Sequence, residues 1–453
     1  MQENHPPPRA ALHSVGCKLN QFEAQLLRQA LEDRGYLIVD FAEPADVYIL
    51  NSCTVTSRTD RECRRLARGA RTRNPHACIV MTGCYAEVEP AELARQGLVD
   101  LLVGNRDKAA LADLIDQALR RPSPPCDSDP PLLREFRGHT RAFVKVQEGC
   151  AGGCTYCIIS RARGPETSVP SAVAVEQVRL LAARHPEVVL IGTHLGRYGR
   201  ERPPRTGETP VPPGEGETDL AGLVERLCAL PELGRLRLSS LEPLEVTPRV
   251  QELVVAGGRA LAAPDAPGRG KVCRHLHLPL QSGCDAVLRR MGRPYAAGTY
   301  AALVSGLGAR QPGLAVGADV IVGFPGETEA EFAETCGFLE ALPLAYLHVF
   351  TFSPRPGTPA ADMPDQVPAQ AKKERNHALR ALSERKRAEF AAAQVGSRLE
   401  VVLETGEDGR RYGLSDNYLQ VDVAGEAGGG IVAVRIAGVE GCRLRGVVEA
   451  ALP

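Results

Sequence analysis

Residues 150–157 read CAGGCTYC, and the spacing Cys150-x3-Cys154-x2-Cys157 decides how the rest of the chain is read. Three thiolates in one short loop can ligate three irons of a 4Fe-4S cluster, because cysteine sulfur is the usual ligand of such clusters. The fourth iron is then left without a protein ligand and stays open to a small molecule. The loop follows a predicted strand, AFVKVQ (142–147), and Gly149, Gly152 and Gly153 let the backbone close around a bulky group. A structural zinc site or three unrelated cysteines are the competing readings. Zinc usually takes four ligands in paired short spacings, and no fourth Cys or His adjoins this loop.

With Tyr156 just before the last cysteine, the spacing resembles the signature of the radical S-adenosylmethionine (SAM) superfamily. The resemblance implies that Cys150, Cys154 and Cys157 hold a cluster whose open iron binds the amino and carboxylate groups of SAM. One electron from that cluster then cleaves SAM to methionine and a 5′-deoxyadenosyl radical.

A chain of 453 residues is too long for one ordinary core and predicts two or three domains. No run approaches the roughly 18 apolar residues of a membrane span. The opening MQENHPPPRA lacks the basic-then-apolar pattern of a signal peptide, so a cytoplasmic location is expected. Fourteen cysteines in a reducing compartment point to metal or catalysis, whereas an exported, disulfide-laced protein would need a signal sequence. Net charge is −1 with a pI of about 6.8, so any RNA contact has to come from local patches.

From 10 to 120 strands and helices alternate. LHSVGC (12–17), DVYILNSC (46–53) and ACIVMTGC (77–84) read as strands ending at Cys17, Cys53 and Cys84. Helices are predicted over 20–34, 57–73 and 89–96, with a short strand at 99–103. This is the pattern of a parallel sheet with helical crossovers, whose ligands bind beyond the carboxyl ends of the strands. Three thiolates from separate strand ends can converge there. Cys63 and Cys78 read as ordinary buried cysteines, and Cys126, in the Pro-rich linker 121–135, as a bystander.

GCKLNQFE (16–23), NSCTVT (51–56) and TGCYAE (82–87) closely resemble the three signatures of the N-terminal domain of the radical SAM methylthiotransferases. The resemblance implies that Cys17, Cys53 and Cys84 bind a second, auxiliary 4Fe-4S cluster, also with an open iron. Two SAM molecules would be used per product: one donates a methyl group to sulfur at the auxiliary cluster, and the other makes the radical that removes hydrogen from an unactivated carbon.

From 142 a second βα series follows, with strands AFVKVQ, EVVLIGT (187–193), RLRLSS (235–240), HLHLPL (275–280), GADVIVG (317–323) and AYLHVF (345–350). Helices are predicted at 171–184, 219–230, 297–309 and 328–341. Six units suit the partial (β/α)6 barrel of radical SAM enzymes, with function at the carboxyl ends of the strands. Polar residues stand there: Thr193 and His194, Ser239, Ser240 and Glu242, Gln281 and Ser282, and Gly323, Pro325 and Glu327. By resemblance these ends bracket SAM, which makes Tyr156, Thr193, Glu242, Gln281 and Gly323 the cofactor-binding candidates. The bland reading of each is a loop cap or a turn. His275 and His277 alternate along one strand and are no metal pair by themselves. Residues 200–218 and about 257–270 read as surface insertions.

A charged helix is predicted at 371–390, and from about 393 strand-like alternation returns between Gly-rich turns. GLSDNYLQV (413–421) resembles the characteristic segment of the TRAM module, a small RNA-binding β-barrel. Residues 393–453 carry nine acidic against six basic residues, a formal charge of −3, which argues against this module holding RNA alone. Two arginine- and lysine-rich stretches, 58–73 and 372–387, are the candidate phosphate contacts, against their usual meaning of solvated helix faces. Tyr412 and Tyr418 are candidates for base stacking.

The expected fold class is α/β: an N-terminal open parallel α/β domain (9–121), a linker (122–135), a partial (β/α)6 radical SAM barrel (136–372), a linker helix (373–392) and a small C-terminal all-β TRAM-like barrel (393–453). The expected function is a tRNA methylthiotransferase with two 4Fe-4S clusters and SAM, fed by an electron donor such as flavodoxin or ferredoxin. GCKLN, NSCTVT, SSLEP (239–243) and HVFTFSPRPGT (348–358) resemble the branch that acts on N6-threonylcarbamoyladenosine. N6-isopentenyladenosine in tRNA and an aspartate of a ribosomal protein are the alternative substrates, and a non-catalytic iron-sulfur RNA-binding protein is the alternative class. A threonylcarbamoyl group carries a carboxylate, and Arg355 is the candidate cation for it.

Overall fold

The computed structural model describes residues 6–122, 131–200, 218–262, 270–406, 410–425 and 429–451. It has two compact units. The first runs up to Arg137 and includes Glu148–Gly152 and Cys157–Pro165; the second holds Gly138–Gln147, Gly153–Tyr156 and Glu166 onward.

In the first unit, strands β1 (Arg9–Ser14), β2 (Leu37–Val39), β3 (Val47–Ser52), β4 (Cys78–Gly83) and β5 (Leu101–Val103) form one parallel sheet in the order β2-β1-β3-β4-β5. β3 is buried along its whole length, as a central parallel strand covered on both faces should be. One face packs Tyr48, Leu50, Ile79 and Met81 against Cys63, Leu66, Ala67 and Ala70 of the helix Ser57–Arg73. The other packs Val47, Ile49 and Val80 against Leu31, Leu111 and Ile115. Thr56 starts the Ser57–Arg73 helix with a capping box, its hydroxyl accepting from the Thr59 N–H.

Register aligns the strand ends, pairing Ser14 with Asn51 and Ser52 with Gly83. β1 stops earlier than the sequence pattern implied. Gly16, at φ +96°, turns the chain, so Cys17 caps the helix Lys18–Asp33 instead of ending a strand. β2 and the helix Leu111–Ala118 were not anticipated.

In the second unit, β6 (Arg141–Glu148), β7 (Thr167–Ser168), β8 (Glu187–Gly192) and β9 (Arg235–Leu238) form a sheet ordered β7-β6-β8-β9. β10 (His275–His277), β11 (Ala315–Val322) and β12 (Tyr346–Thr351) form another, and isolated parallel bridges Leu236–Val272 and Ser240–His277 connect them. β6, β8, β9, β10, β11 and β12 therefore follow one another as the six parallel strands of the expected barrel. β10 is shorter than the predicted 275–280 because Pro279 has no N–H to donate to a ladder. Helices Pro248–Ala262 and Asp285–Arg290 were not anticipated. The first covers the start of the 257–270 insertion; 263–269 lies outside the described residues, as do 201–217 and Cys126.

The helix Ala369–Ala392 buries Leu379 and Leu382, and the Ser383 hydroxyl bonds both the N–H and the carbonyl of Leu347. Beyond it β13 (Arg398–Thr405), β14 (Arg411–Ser415), β15 (Gln420–Ala424), β16 (Ile431–Glu440) and β17 (Arg443–Ala451) close a barrel in the order β13-β14-β15-β17-β16. Closure removes the exposed edges that an open sheet would leave. Its core is Leu399, Val401, Val421, Val432, Val434 and Leu444.

A buried ionic cluster joins this barrel to β9. Arg235 and Arg237 are each 1% exposed and share Glu187 of β8 as counterion, with Arg237 Nε to Glu187 Oε1 at 2.8 Å. Their remaining N–H groups donate to the carbonyls of Glu400, Leu414, Ser415 and Asp416. Arg274 adds a bond to the Asp416 carboxylate at 2.6 Å.

Candidate functional site

The first unit brings Cys17, Cys53 and Cys84 together beyond the carboxyl ends of β1, β3 and β4. A Cβ on Gly16 would lie 2.7 Å from the Cys53 sulfur, so glycine at this turn is what lets the two loops approach. Asn20 ties them, its Nδ2 donating to the carbonyls of Val15 (2.8 Å) and Ser52 (3.0 Å). Burial pushes the Cys53 thiol up to about 12, with Cys17 and Cys84 adding to the rise. Burial also raises Cys17, opposed by Arg163 and reinforced by Cys84. Cys17 keeps accessible surface although protein atoms crowd it, as a residue on the wall of a recess does. Sulfurs gathered this closely are suited to a metal group, which deprotonates the thiols it binds.

Charged groups that the sequence reading missed surround this triad. Arg163 is buried and pairs with Glu23 (2.5 Å) and Glu148 (2.7 Å). Lys108 Nζ bonds Glu23 (2.6 Å), Asn51 (3.2 Å) and Asn105 (2.8 Å), and Asn105 Nδ2 lies 3.7 Å from the Cys84 sulfur. Asn20 and Glu23 stand inside GCKLNQFE, so the motif held the signal, but their partners come from distant parts of the chain. Cys63 packs in the sheet core as expected.

The CAGGCTYC loop follows β6. Within the first unit, Gly149 (φ +78°) leaves no room for a Cβ, which would meet the Pro165 carbonyl at 1.8 Å, and the Cys150 N–H bonds the Gly164 carbonyl at 3.2 Å. Within the second, Thr155 is held at both its N–H (to Met291 O, 3.0 Å) and its hydroxyl (to Arg290 O, 2.9 Å). Arg293 Nη1 donates to the Cys154 sulfur at 3.4 Å, placing a positive charge beside a prospective thiolate ligand. Its Nη2 pairs with Glu242, and the Tyr295 hydroxyl is 2.8 Å away. Arg293 ends the run LPLQSGCDAVLRRMGR and was not singled out from the sequence.

The strand-end candidates have different surroundings. Thr193 follows β8 with its hydroxyl oxygen buried and without a hydrogen-bond partner among the described residues, as a ligand-facing group would be. Glu242 is the counterion of Arg293. Gln281 is buried at φ +76°, a conformation uncommon for a non-glycine residue, and its main chain bridges to β11. Gly323 (φ +72°) donates its N–H to Glu327 at 2.6 Å. Tyr156 packs edge-on to Phe324, ring centroids 6.3 Å apart.

The C-terminal barrel gathers arginines despite its net charge. Arg410, Arg411, Arg443 and Arg445 line one hollow of about 830 Å³ together with Tyr412 and Asp422; Asp422 pairs with Arg443 at 3.0 Å, and Glu440 pairs with Arg445. One sequence expectation does not hold nearby. Tyr418 is no stacking platform for RNA: its ring lies 4.3 Å from that of His275 and 5.8 Å from that of Tyr346. Within the 372–387 stretch the fold consumes Arg375, which pairs with Glu327 at 2.8 Å, and Lys386, which donates to the carbonyls of Glu340 and Leu342, while Lys373, Arg380, Arg385 and Arg387 stay exposed. The helix Ser57–Arg73, by contrast, leaves Arg58, Arg61 and Arg68 exposed, while Arg64 bonds Tyr85 and Arg65 pairs with Glu62.

A partial barrel of six parallel strands behind a Cys-x3-Cys-x2-Cys loop defines a radical SAM enzyme, which uses SAM and 4Fe-4S chemistry. Residues 144–339 match the radical SAM superfamily, and residues 9–104 match uncharacterized protein family UPF0004. The solved structure of the radical SAM methyltransferase TsrM from Kitasatospora setae has the same fold, with a TM-score of 0.54 at 16% identity over 78% of this chain and 77% of that one. The threonylcarbamoyladenosine tRNA methylthiotransferase MtaB of Bacillus subtilis is 37% identical over 445 residues, covering 94% of this chain and 93% of its own. That of Aquifex aeolicus is 36% identical (91% and 96%), and the tRNA-2-methylthio-N(6)-dimethylallyladenosine synthase of Erythrobacter litoralis 34% (89% and 88%). The chain belongs to the radical SAM methylthiotransferase family.

Proposed function

We propose that this enzyme inserts a methylthio group at carbon 2 of N6-threonylcarbamoyladenosine, next to the anticodon of tRNA on its 3′ side. The convergence of Cys17, Cys53 and Cys84, in addition to the Cys150, Cys154 and Cys157 loop, carries the reading, because methylthiolation needs both a radical generator and a place to hold sulfur. Cys150, Cys154 and Cys157 would hold the SAM-cleaving cluster and Cys17, Cys53 and Cys84 the auxiliary one. When bound, these groups supply one-electron cleavage of SAM and sulfur for transfer. The chain's own residues position them: Arg293 donates to Cys154, Asn20 and Gly16 fix the Cys17 and Cys53 loops, and the Thr193 hydroxyl is available to SAM. Reduction would come from a flavodoxin or ferredoxin in the cytoplasm.

The substrate choice rests on the GCKLN form of the first signature and on relatives named for threonylcarbamoyladenosine at 37% and 36% identity. Arg355, buried in the loop after β12, is the cation assigned to the substrate carboxylate. A relative named for the dimethylallyl substrate is nearly as similar, so the discriminating experiment offers the reconstituted enzyme tRNAs carrying either modification. Methylthio product is expected from the threonylcarbamoyl tRNA. Product from the isopentenyl tRNA alone would overturn the substrate and leave the enzyme class intact.

The arginine-lined hollow is assigned to the tRNA backbone. Arg411→Ala and Arg445→Ala are each expected to lower the slope of log affinity against log salt by about 1. Iron content should not change, because the hollow these residues line contains no cysteine. A salt dependence unaltered in the double variant would place the RNA contact elsewhere.

A further inference from the structure

We propose that His277, Asp319 and His348 form a binding site for one divalent transition-metal ion, separate from both cysteine triads. The three belong to neighbouring strands of one sheet and share one face. Asp319 and His348 are direct partners across β11 and β12, and His277 pairs with Gly317, two residues before Asp319 on the same face. His277 Nε2 lies 2.8 Å from Asp319 Oδ1 and His348 Nδ1 lies 3.4 Å from it. All three donor atoms fall within 4.8 Å of one another. Ligands about 2.1 Å from a tetrahedral ion sit roughly 3.4 Å apart, so small side-chain rotations bring these atoms into coordination.

The surroundings match those of a metal-binding histidine, whose second ring nitrogen is normally fixed by a hydrogen bond. His277 Nδ1 faces the Tyr346 hydroxyl at 3.1 Å, and the same hydroxyl meets His275 Nε2 at 2.8 Å. That contact holds the imidazole with Nε2 turned toward Asp319. Gly317 makes room for the tyrosine ring, since a Cβ there would lie 2.1 Å from Tyr346 Cζ.

Two imidazoles and one carboxylate suit Zn(II) or Fe(II). His277 is buried whereas His348 is 45% exposed, so the set closes on the protein side and opens toward solvent. The sequence could not reveal this site. His277 lies on a strand whose only other histidine bonds the supporting tyrosine, and the remaining ligands come from strands more than forty residues away.

Zinc is the probe, measured by equilibrium dialysis and elemental analysis on full-length protein with both clusters reconstituted without oxygen. Wild type is expected to take up about one zinc that His348→Gln and Asp319→Asn do not, with iron content equal in all three. Tyr346→Phe should bind it about 10- to 100-fold more weakly. His348 sits at the exposed rim, so its replacement leaves the fold intact, and the retained iron verifies this. Cobalt(II) in place of zinc should give visible ligand-field bands in wild type only. Equal zinc uptake by wild type and both variants, or none by wild type, would reduce the triad to a hydrogen-bonded cluster. Uptake matched by loss of iron would place the zinc in the cysteine sites and equally overturn the proposal.

Discussion

Cys53→Ala is expected to stop methylthiolation while SAM is still cleaved to 5′-deoxyadenosine, whereas Cys154→Ala stops both. The separation follows from where the sulfurs stand. Cys53 belongs to the sheet-end recess with Cys17 and Cys84: burial raises its thiol pKa, the Val55 main chain opposes the rise through a hydrogen bond, and the two thiols add to it. Cys154 belongs to the loop after β6, and its close partner is Arg293. Loss of one ligand from a three-cysteine site leaves too few thiolates to retain the cluster, so iron content should fall by about half in either variant. Deoxyadenosine then reports the loop site, the methylthio nucleoside reports both, and iron analysis shows that each lesion is local. Full iron and full product from Cys53→Ala would sink the auxiliary assignment.

Much of this fold was legible because parallel strands buried on both faces leave continuous apolar runs. VYILNS, CIVMTG and EVVLIG are such runs, and each ends where its polar or glycine residue meets the next loop. The cysteine triads were legible for a different reason: each ligand carries its own short motif. The groups around them were not, since Arg163 and Lys108 reach the N-terminal recess from remote positions and carry no local pattern. The strand pattern of RLRLSS does not show where its arginines go: Arg235 and Arg237 are buried because the C-terminal barrel supplies their hydrogen-bond acceptors. The same docking places Tyr418 against His275. Charge runs were the least informative feature, because a net count says nothing about which cations a helix spends on its own neighbours. Arg375 and Lys386 are spent that way, and in the acidic C-terminal barrel Arg443 and Arg445 have carboxylate partners although four arginines gather around one hollow.

Glu187→Ala should be among the most destabilising single substitutions in the second unit, by about 3–5 kcal/mol, because it strands two buried guanidinium groups without their counterion. Burial alone would raise the Glu187 pKa; Arg235 and Arg237 overturn that and hold it far below the ordinary value. A depressed carboxylate pKa stabilises the fold above the unfolded value of about 4.3, and that contribution is lost as pH falls below it toward the folded value. The stability gap between wild type and Glu187→Ala should therefore be full at neutral pH and narrow below about 4.3. Because the same arginines donate to the carbonyls of Leu414 and Ser415, hydrogen exchange in β14 should rise in the variant while exchange in β3 and β4 does not. Replacing Glu187, Arg235 and Arg237 together by apolar residues of similar size should recover part of the loss, since the penalty lies in the unpaired charges and not in the absence of an ion pair. Unchanged exchange in β14 with unchanged unfolding would show that the cluster does not hold the C-terminal barrel to β9.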